Sequence, residues 1–162
     1  IEMNKRRYIL FSVLSILVCH LVMASGQNKM INVTDMGARP DDGKDDTRAL
    51  RRAVAYACEH PGTTLYFPKG IYELKDKEAI ALETKVLNGE MGENPEKVIY
   101  TPYYPYVKGL DFTGAKQVTV LADQAVLSCE GWMEPISLDQ CEDVTVKGIT
   151  MIINENRLCL VI

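Results

Sequence analysis

The chain has 162 residues and a mass of 18.2 kDa, with 47% hydrophobic and 25% charged side chains. That much apolar surface offsets the ordering entropy, which excludes a disordered chain, and the length suits one soluble domain. A formal net charge of −4 and a pI near 5.2 exclude the basic surface that nucleic-acid binding needs, so no nucleic acid is expected as a partner.

The N-terminus reads as an export signal. Lys5, Arg6 and Arg7 precede an apolar run of roughly sixteen residues, Tyr8 to Met23, and the small residues Ala24, Ser25 and Gly26 follow. Residues 1–26 are expected to be a signal peptide cut before Ser25 or Gln27. The competing reading is a membrane anchor, for which the run is near the lower bound of length. Val18 is too bulky for the position before a lipidated Cys19. Ile1 and Glu2 precede Met3 and suggest a conceptual translation or a fragment of a reading frame. Removing the segment leaves 15 basic and 21 acidic residues, a net charge of −6. The expected location is secreted or periplasmic, with no membrane contact once the signal is gone.

The mature chain opens on Ile31 to Ala38, an alternating strand ending at Gly37. Asn32-Val33-Thr34 is a glycosylation sequon only in a eukaryotic secretory pathway, and its place inside an expected strand favours chance. An acidic stretch with Asp41, Asp42, Asp45 and Asp46 then precedes a helical pattern. Leu50, Ala53, Val54, Ala57 and Cys58 share one helical face, while Arg48, Arg51, Arg52 and Glu59 fall elsewhere. Asp45 or Asp46 suits the N-cap, because a carboxylate accepts free N–H groups at the positive end of the helix. The alternative is a calcium loop or a catalytic carboxylate pair, but the spacing does not match an EF-hand.

His60-Pro61-Gly62 stops the helix, and His60 reads as a helix-end residue rather than a base, since no nucleophile accompanies it. Thr63 to Phe67 and Ile71 to Leu74 read as strands separated by Pro68-Lys69-Gly70. From Lys75 to Tyr106 the chain reads as a long excursion loop with Asn88-Gly89, Asn94-Pro95 and the tyrosines Tyr100, Tyr103, Tyr104 and Tyr106. Those tyrosines either stack on sugar rings or pack the loop onto the body.

Beyond the loop the sequence repeats at an offset of 26. Gln117-Val118-Thr119-Val120 returns as Asp143-Val144-Thr145-Val146, and Leu110-Asp111-Phe112 as Ile136-Ser137-Leu138. Two matched strands at one offset point to stacked turns of a solenoid. Trp132, the single tryptophan, reads either as a sugar platform or as an aromatic plug between turns. Glu130 and Glu134, if extended, lie about 13 Å apart, too far for a glycosidase pair. Of the five cysteines, Cys58, Cys129, Cys141 and Cys159 remain after the signal; without a CxxC pair and with only His20 and His60 as histidines, a zinc site is not expected. Buried thiols are the simpler expectation, with one disulfide as the alternative.

The opening strand, Asp45-Asp46-Thr47, the helix, and Thr64-Leu65-Tyr66-Phe67-Pro68-Lys69-Gly70-Ile71-Tyr72 resemble the start of right-handed parallel β-helix enzymes of the pectate lyase and polygalacturonase superfamily. The resemblance covers residues 31–150. Gly131 to Cys141 is similar, more particularly, to exo-acting α-1,3-galactosidases of the same fold. It implies a mainly β chain, a right-handed single-stranded parallel β-helix, in which the helix covers one end of the solenoid and Asp45, Asp46 and Gly70 are structural.

The implied organisation is a signal over 1–26, an N-terminal cap over 27–74, the excursion over 75–106 and the first coils over 107–162. Residues 151–162 depart from the family pattern: codons allowed for Met151 onward, read two bases later, spell Asp-Tyr-Lys-Arg-Lys-Pro-Phe, which suggests a shifted frame near Thr150. The implied function is the front part of a secreted glycoside hydrolase acting on terminal α-galactosides by an inverting two-carboxylate mechanism. Alternatives are a uronate-degrading polygalacturonase or lyase, and a non-catalytic glycan-binding or adhesive module. An oligo- or polysaccharide is the expected partner. No catalytic residue, metal ligand or cofactor is expected within these 162 residues, the catalytic aspartates belonging to later turns.

Overall fold

The computed structural model describes residues 29–153 and, for the backbone, 158–161. The expected signal peptide lies outside them. The first strand, β1 (Lys29–Asn32), is shorter than the alternating pattern predicts and gives way to a 3-10 turn, Val33–Met36. The cause is local: Asn32 Oδ1 accepts from Thr34 N at 3.0 Å and from Thr34 Oγ1 at 2.8 Å, which caps a helical turn and ends the strand. Gly37, at φ 96°, then reverses the chain.

Helix α1 (Thr47–Glu59) is followed by β2 (Thr63–Phe67) and β3 (Gly70–Lys75). Leu50, Ala53, Val54 and Ala57 are buried, and the helix packs against β2 and β4 (Val107–Asp111). The segment expected to be a loop contains helix α2 (Lys77–Leu87) and a short α3 (Glu96–Ile99). Asp76 starts α2 by accepting from Glu78 N at 2.9 Å, the N-cap geometry that a carboxylate favours. Strands β5 (Lys116–Glu130), β6 (Met133–Ser137), β7 (Glu142–Ile153) and β8 (Leu158–Val161) complete the described chain.

The repeat offset of 26 becomes strand register. Val118 pairs with Val144, Thr119 with Thr145 and Val120 with Val146 in parallel, while Leu110 pairs with Ile136 and Asp111 with Ser137 in the second sheet. Each residue therefore sits directly over its repeat partner one coil away. Strand order is β1-β2-β5-β7-β8, with β3 also paired to β5, and β4 pairs with β6. β5 bends near Gln124, so that its first half lies under β2 and its second half under β3. Stacked parallel coils of this kind fit a β-helix. Met151 to Ile153 continue β7 in parallel with Leu127 to Cys129, and β8 folds back antiparallel onto β7, the one antiparallel pairing among the described residues.

Inward-facing Leu65, Phe67, Tyr72, Leu74, Leu110, Phe112, Val118, Val120, Leu127 and Ile149 form one continuous core. Cys129 belongs to it, and burial pushes its thiol up to about 12, so it stays a neutral small hydrophobe. Cys58, Cys129 and Cys141 are free thiols.

Candidate functional site

The four aspartates are bound to backbone. Asp41 Oδ1 accepts from Ile71 N at 2.9 Å and Asp42 Oδ1 from Lys44 N at 2.9 Å. Asp45 Oδ1 accepts from Thr47 N at 3.0 Å and Lys75 N at 3.1 Å, so it takes the first N–H of α1 and ties it to β3. Asp46 holds the N-cap position but not the capping role, because its carboxylate turns inward to Arg39 N at 2.7 Å and Glu73 N at 3.3 Å. Only 4% exposed, it pins the loop before α1 to β3. Gly70 is held by space: a Cβ there would lie 2.6 Å from Pro40 Cβ and 2.7 Å from Asp41 Oδ2. These groups build the scaffold, and among the described residues no three acidic, histidine or cysteine side chains gather around a metal-sized space.

Arg51 was expected on the polar face of α1, yet its guanidinium reaches back to the sheet. Nη1 donates to Asp76 Oδ2 at 2.8 Å, Nη2 to Lys108 O at 2.7 Å and Nε to Gly109 O at 3.3 Å. Burial pushes the Asp76 carboxyl up, but Arg51 and the Glu78 N–H outweigh it and hold it below its ordinary 3.8. Such a group stabilises the fold above pH 3.8, and that contribution is lost as pH falls through its lower folded value. Asp45, against its burial, is lowered by the Thr47 and Lys75 donors, and Asp111, likewise, by Thr113 and Lys108. Asp46 runs the other way: burial raises it, so its contribution is present below 3.8 and fades as pH rises through the raised value. With three lowered carboxyls against one raised, urea midpoints are expected to be lower at about pH 3 than at about pH 5, and Asp76→Asn should narrow the gap.

His60 stacks its ring on Tyr56 at 4.0 Å between centroids, with Nδ1 2.8 Å from Tyr56 O, and serves as the C-terminal end of α1. Glu130 and Glu134 do not share one extended segment, since the chain turns at Gly131 and Trp132 between β5 and β6. Glu130 lies 3.9 Å from Lys75 Nζ.

The aromatic residues of the excursion come together at that turn. Trp132 donates its backbone N–H to Ala79 O at 3.0 Å, which seats the β5–β6 turn against the start of α2. Its half-buried indole stacks on Tyr100, with centroids 6.2 Å apart and planes 24° from parallel. Tyr100 is 73% and Tyr103 91% exposed, so their faces meet solvent. Tyr106 donates its hydroxyl to Ile99 O at 2.7 Å and leans on Tyr104 at 4.9 Å. Trp132 is half-buried on the turn between β5 and β6, with Tyr100 stacked on it. Tyr106 thus closes the end of the excursion back onto Ile99, while Tyr100 and Tyr103 stay exposed and Tyr100 forms an aromatic ledge with Trp132. The sequence signal for the ledge was the Tyr cluster; that it converges on Trp132 depends on the 26-residue coil.

The chain resembles named proteins over most of its length. It is 28% identical over 123 residues to α-1,3-galactosidase A of Shewanella woodyi, a match covering 76% of this chain and 18% of that protein. It is 26% identical over 137 residues to α-1,3-galactosidase B of Bacteroides thetaiotaomicron, covering 85% of this chain and 20% of that one. The chain thus spans about a fifth of the length of these relatives. Residues 30–129 match the model of the rhamnogalacturonase A/epimerase, pectate lyase-like family, and the chain belongs to that family.

Proposed function

We propose that this chain is the N-terminal part of an exported glycoside hydrolase that removes terminal α-galactose, folded as a right-handed β-helix with α1 covering one end. The observation that carries this reading is the likeness to two α-1,3-galactosidases over 76% and 85% of the chain. Its coils supply the scaffold and the aromatic ledge, and the carboxylates come from turns outside these residues. One carboxylic acid protonates the leaving oxygen and one carboxylate activates water across a gap of about 6.5–9.5 Å, which inverts the anomeric centre. The ledge suits a neutral sugar, whose C–H face packs on an aromatic ring while its hydroxyls stay in water.

Calorimetric titration of the chain with a trisaccharide ending in α-1,3-galactose tests this. Binding without release of galactose is expected, and Trp132→Ala should weaken it about tenfold or more. Equal affinity of the variant would remove the ledge from the site, and release of galactose by the chain alone would show that its catalytic groups lie within it. The family description gives a uronate-acting enzyme as the second reading, which oligogalacturonate degradation in the same assay would favour.

A further inference from the structure

Two half-buried thiols from distant parts of the chain meet at the end of β4. Cys58, in the last turn of α1, has its Sγ 4.0 Å from Asp111 O, and Cys141, on the turn between β6 and β7, donates its thiol to Phe112 O at 2.9 Å. Asp111 and Phe112 are neighbours in the chain, so both sulfurs gather over one step of backbone. Burial pushes the Cys58 thiol up, and the Asp111 carboxylate, Cys141 and Glu59 add to the rise, so the two cysteines are near enough to act on each other's charge. Neither present contact holds its thiol firmly, because an S–H is a weak donor and the Cys58 contact is loose. The backbone around Cys141 is fixed: Glu142 N donates to Ala115 O at 2.9 Å and Gly114 N to Asp139 O at 2.8 Å, which seats the β6–β7 turn on the coil before it.

We infer that Cys58 and Cys141 are a modification site: in oxidising surroundings they join as a disulfide that fastens the last turn of α1 to the β6–β7 turn. The pairing needs no glycan and stands apart from the reading above. Arg51 already ties the first half of α1 to β4, and the disulfide would tie its other end to the next coil. The oxidant is another disulfide, that of a small molecule or of a thiol oxidoreductase. One cysteine, as thiolate, attacks it, forms a mixed disulfide and releases one thiolate; the second cysteine attacks the protein sulfur of that mixed disulfide and releases the other. One protein S–S bond replaces two S–H bonds, and the oxidant leaves as two thiols carrying the two protons and two electrons. Half burial leaves both sulfurs open to such a reagent, whereas Cys129, 2% exposed, is shielded from it. Because positions 58 and 141 are far apart in sequence, the bond closes a long loop in the unfolded chain and favours the folded one.

Incubating the full chain with oxidised glutathione, or with dithiothreitol as the reduced control, tests this. Peptide mapping without reduction should find positions 58 and 141 in one cross-linked pair, lighter by two hydrogen atoms than the separate peptides. The oxidised chain should melt about 5–15 °C higher than the reduced one. Cys58→Ala and Cys141→Ala, each compared with itself under the two conditions, should show no such gain. Cys58 and Cys141 left as thiols, capped singly by glutathione, or linked to another cysteine would overturn the pairing. An equal gain in either variant, or a 58–141 link with no gain in melting temperature, would overturn the fastening of α1.

Discussion

Phe112→Ala is expected to lower the free energy of unfolding by about 3–5 kcal/mol, while Leu138→Ala, at the matching position of the next coil, should change it by no more than about 0.5 kcal/mol. The two residues stand 26 apart in the repeat, yet Phe112 is 0% exposed and Leu138 49%. Phe112 closes β4: its N–H donates to Ser137 O at 2.9 Å, its carbonyl accepts from Ala115 N at 2.8 Å and from Cys141 Sγ at 2.9 Å, and its ring fills the core between coils. Truncation there removes a buried ring and leaves a cavity ringed by stacked backbone that cannot collapse into it. Leu138 is about half in solvent, so truncation there leaves no enclosed cavity. Urea denaturation of the two variants side by side measures the contrast; similar losses would mean that stacking of the coils does not set burial at these positions.

The same contrast shows how far a sequence speaks for a solenoid. The offset of 26 was legible because parallel stacking imposes like residues at like places, and Val118 over Val144 and Val120 over Val146 are its direct result. Helix α1 was legible in the spacing of Leu50, Ala53, Val54 and Ala57, all of which are buried. Helix α2 was hidden, since Ala79 is its one fully buried residue and the Asn-Gly and Asn-Pro pairs after it dominate the segment. The N-cap signal was present in Asp76 but carries little weight without an apolar stripe. Asp46 and Arg51 escaped for a different reason: their partners Glu73, Lys108 and Gly109 lie 27 to 58 positions away, and no local pattern encodes such pairs. The ledge was half legible, because the tyrosine cluster and Trp132 each left a surface role and a packing role open, whereas their meeting follows from β4 stacking on β6.

Gly131→Ala should be destabilising by about 2–4 kcal/mol and should weaken oligosaccharide binding as well, although no side chain of the ledge is altered. A Cβ at Gly131 would lie 2.4 Å from both Ala79 C and Ile80 N, which are backbone atoms of α2 and cannot swing aside. The residue also has φ 80°, a left-handed conformation that costs alanine about 1–2 kcal/mol by itself. Gly114→Ala separates the two costs, because Gly114 has a similar φ of 74° and open space where a Cβ would go. It should lose only the conformational part and leave binding untouched. To admit the extra methyl at position 131, α2 has to lift from the β5–β6 turn, which strains the Trp132 N–H bond to Ala79 O and shifts the excursion that carries Tyr100. Thermal melts and the α-galactoside titration on both variants decide the matter. If both lose stability equally and both bind normally, the close seat of α2 on the turn does not hold the ledge in place.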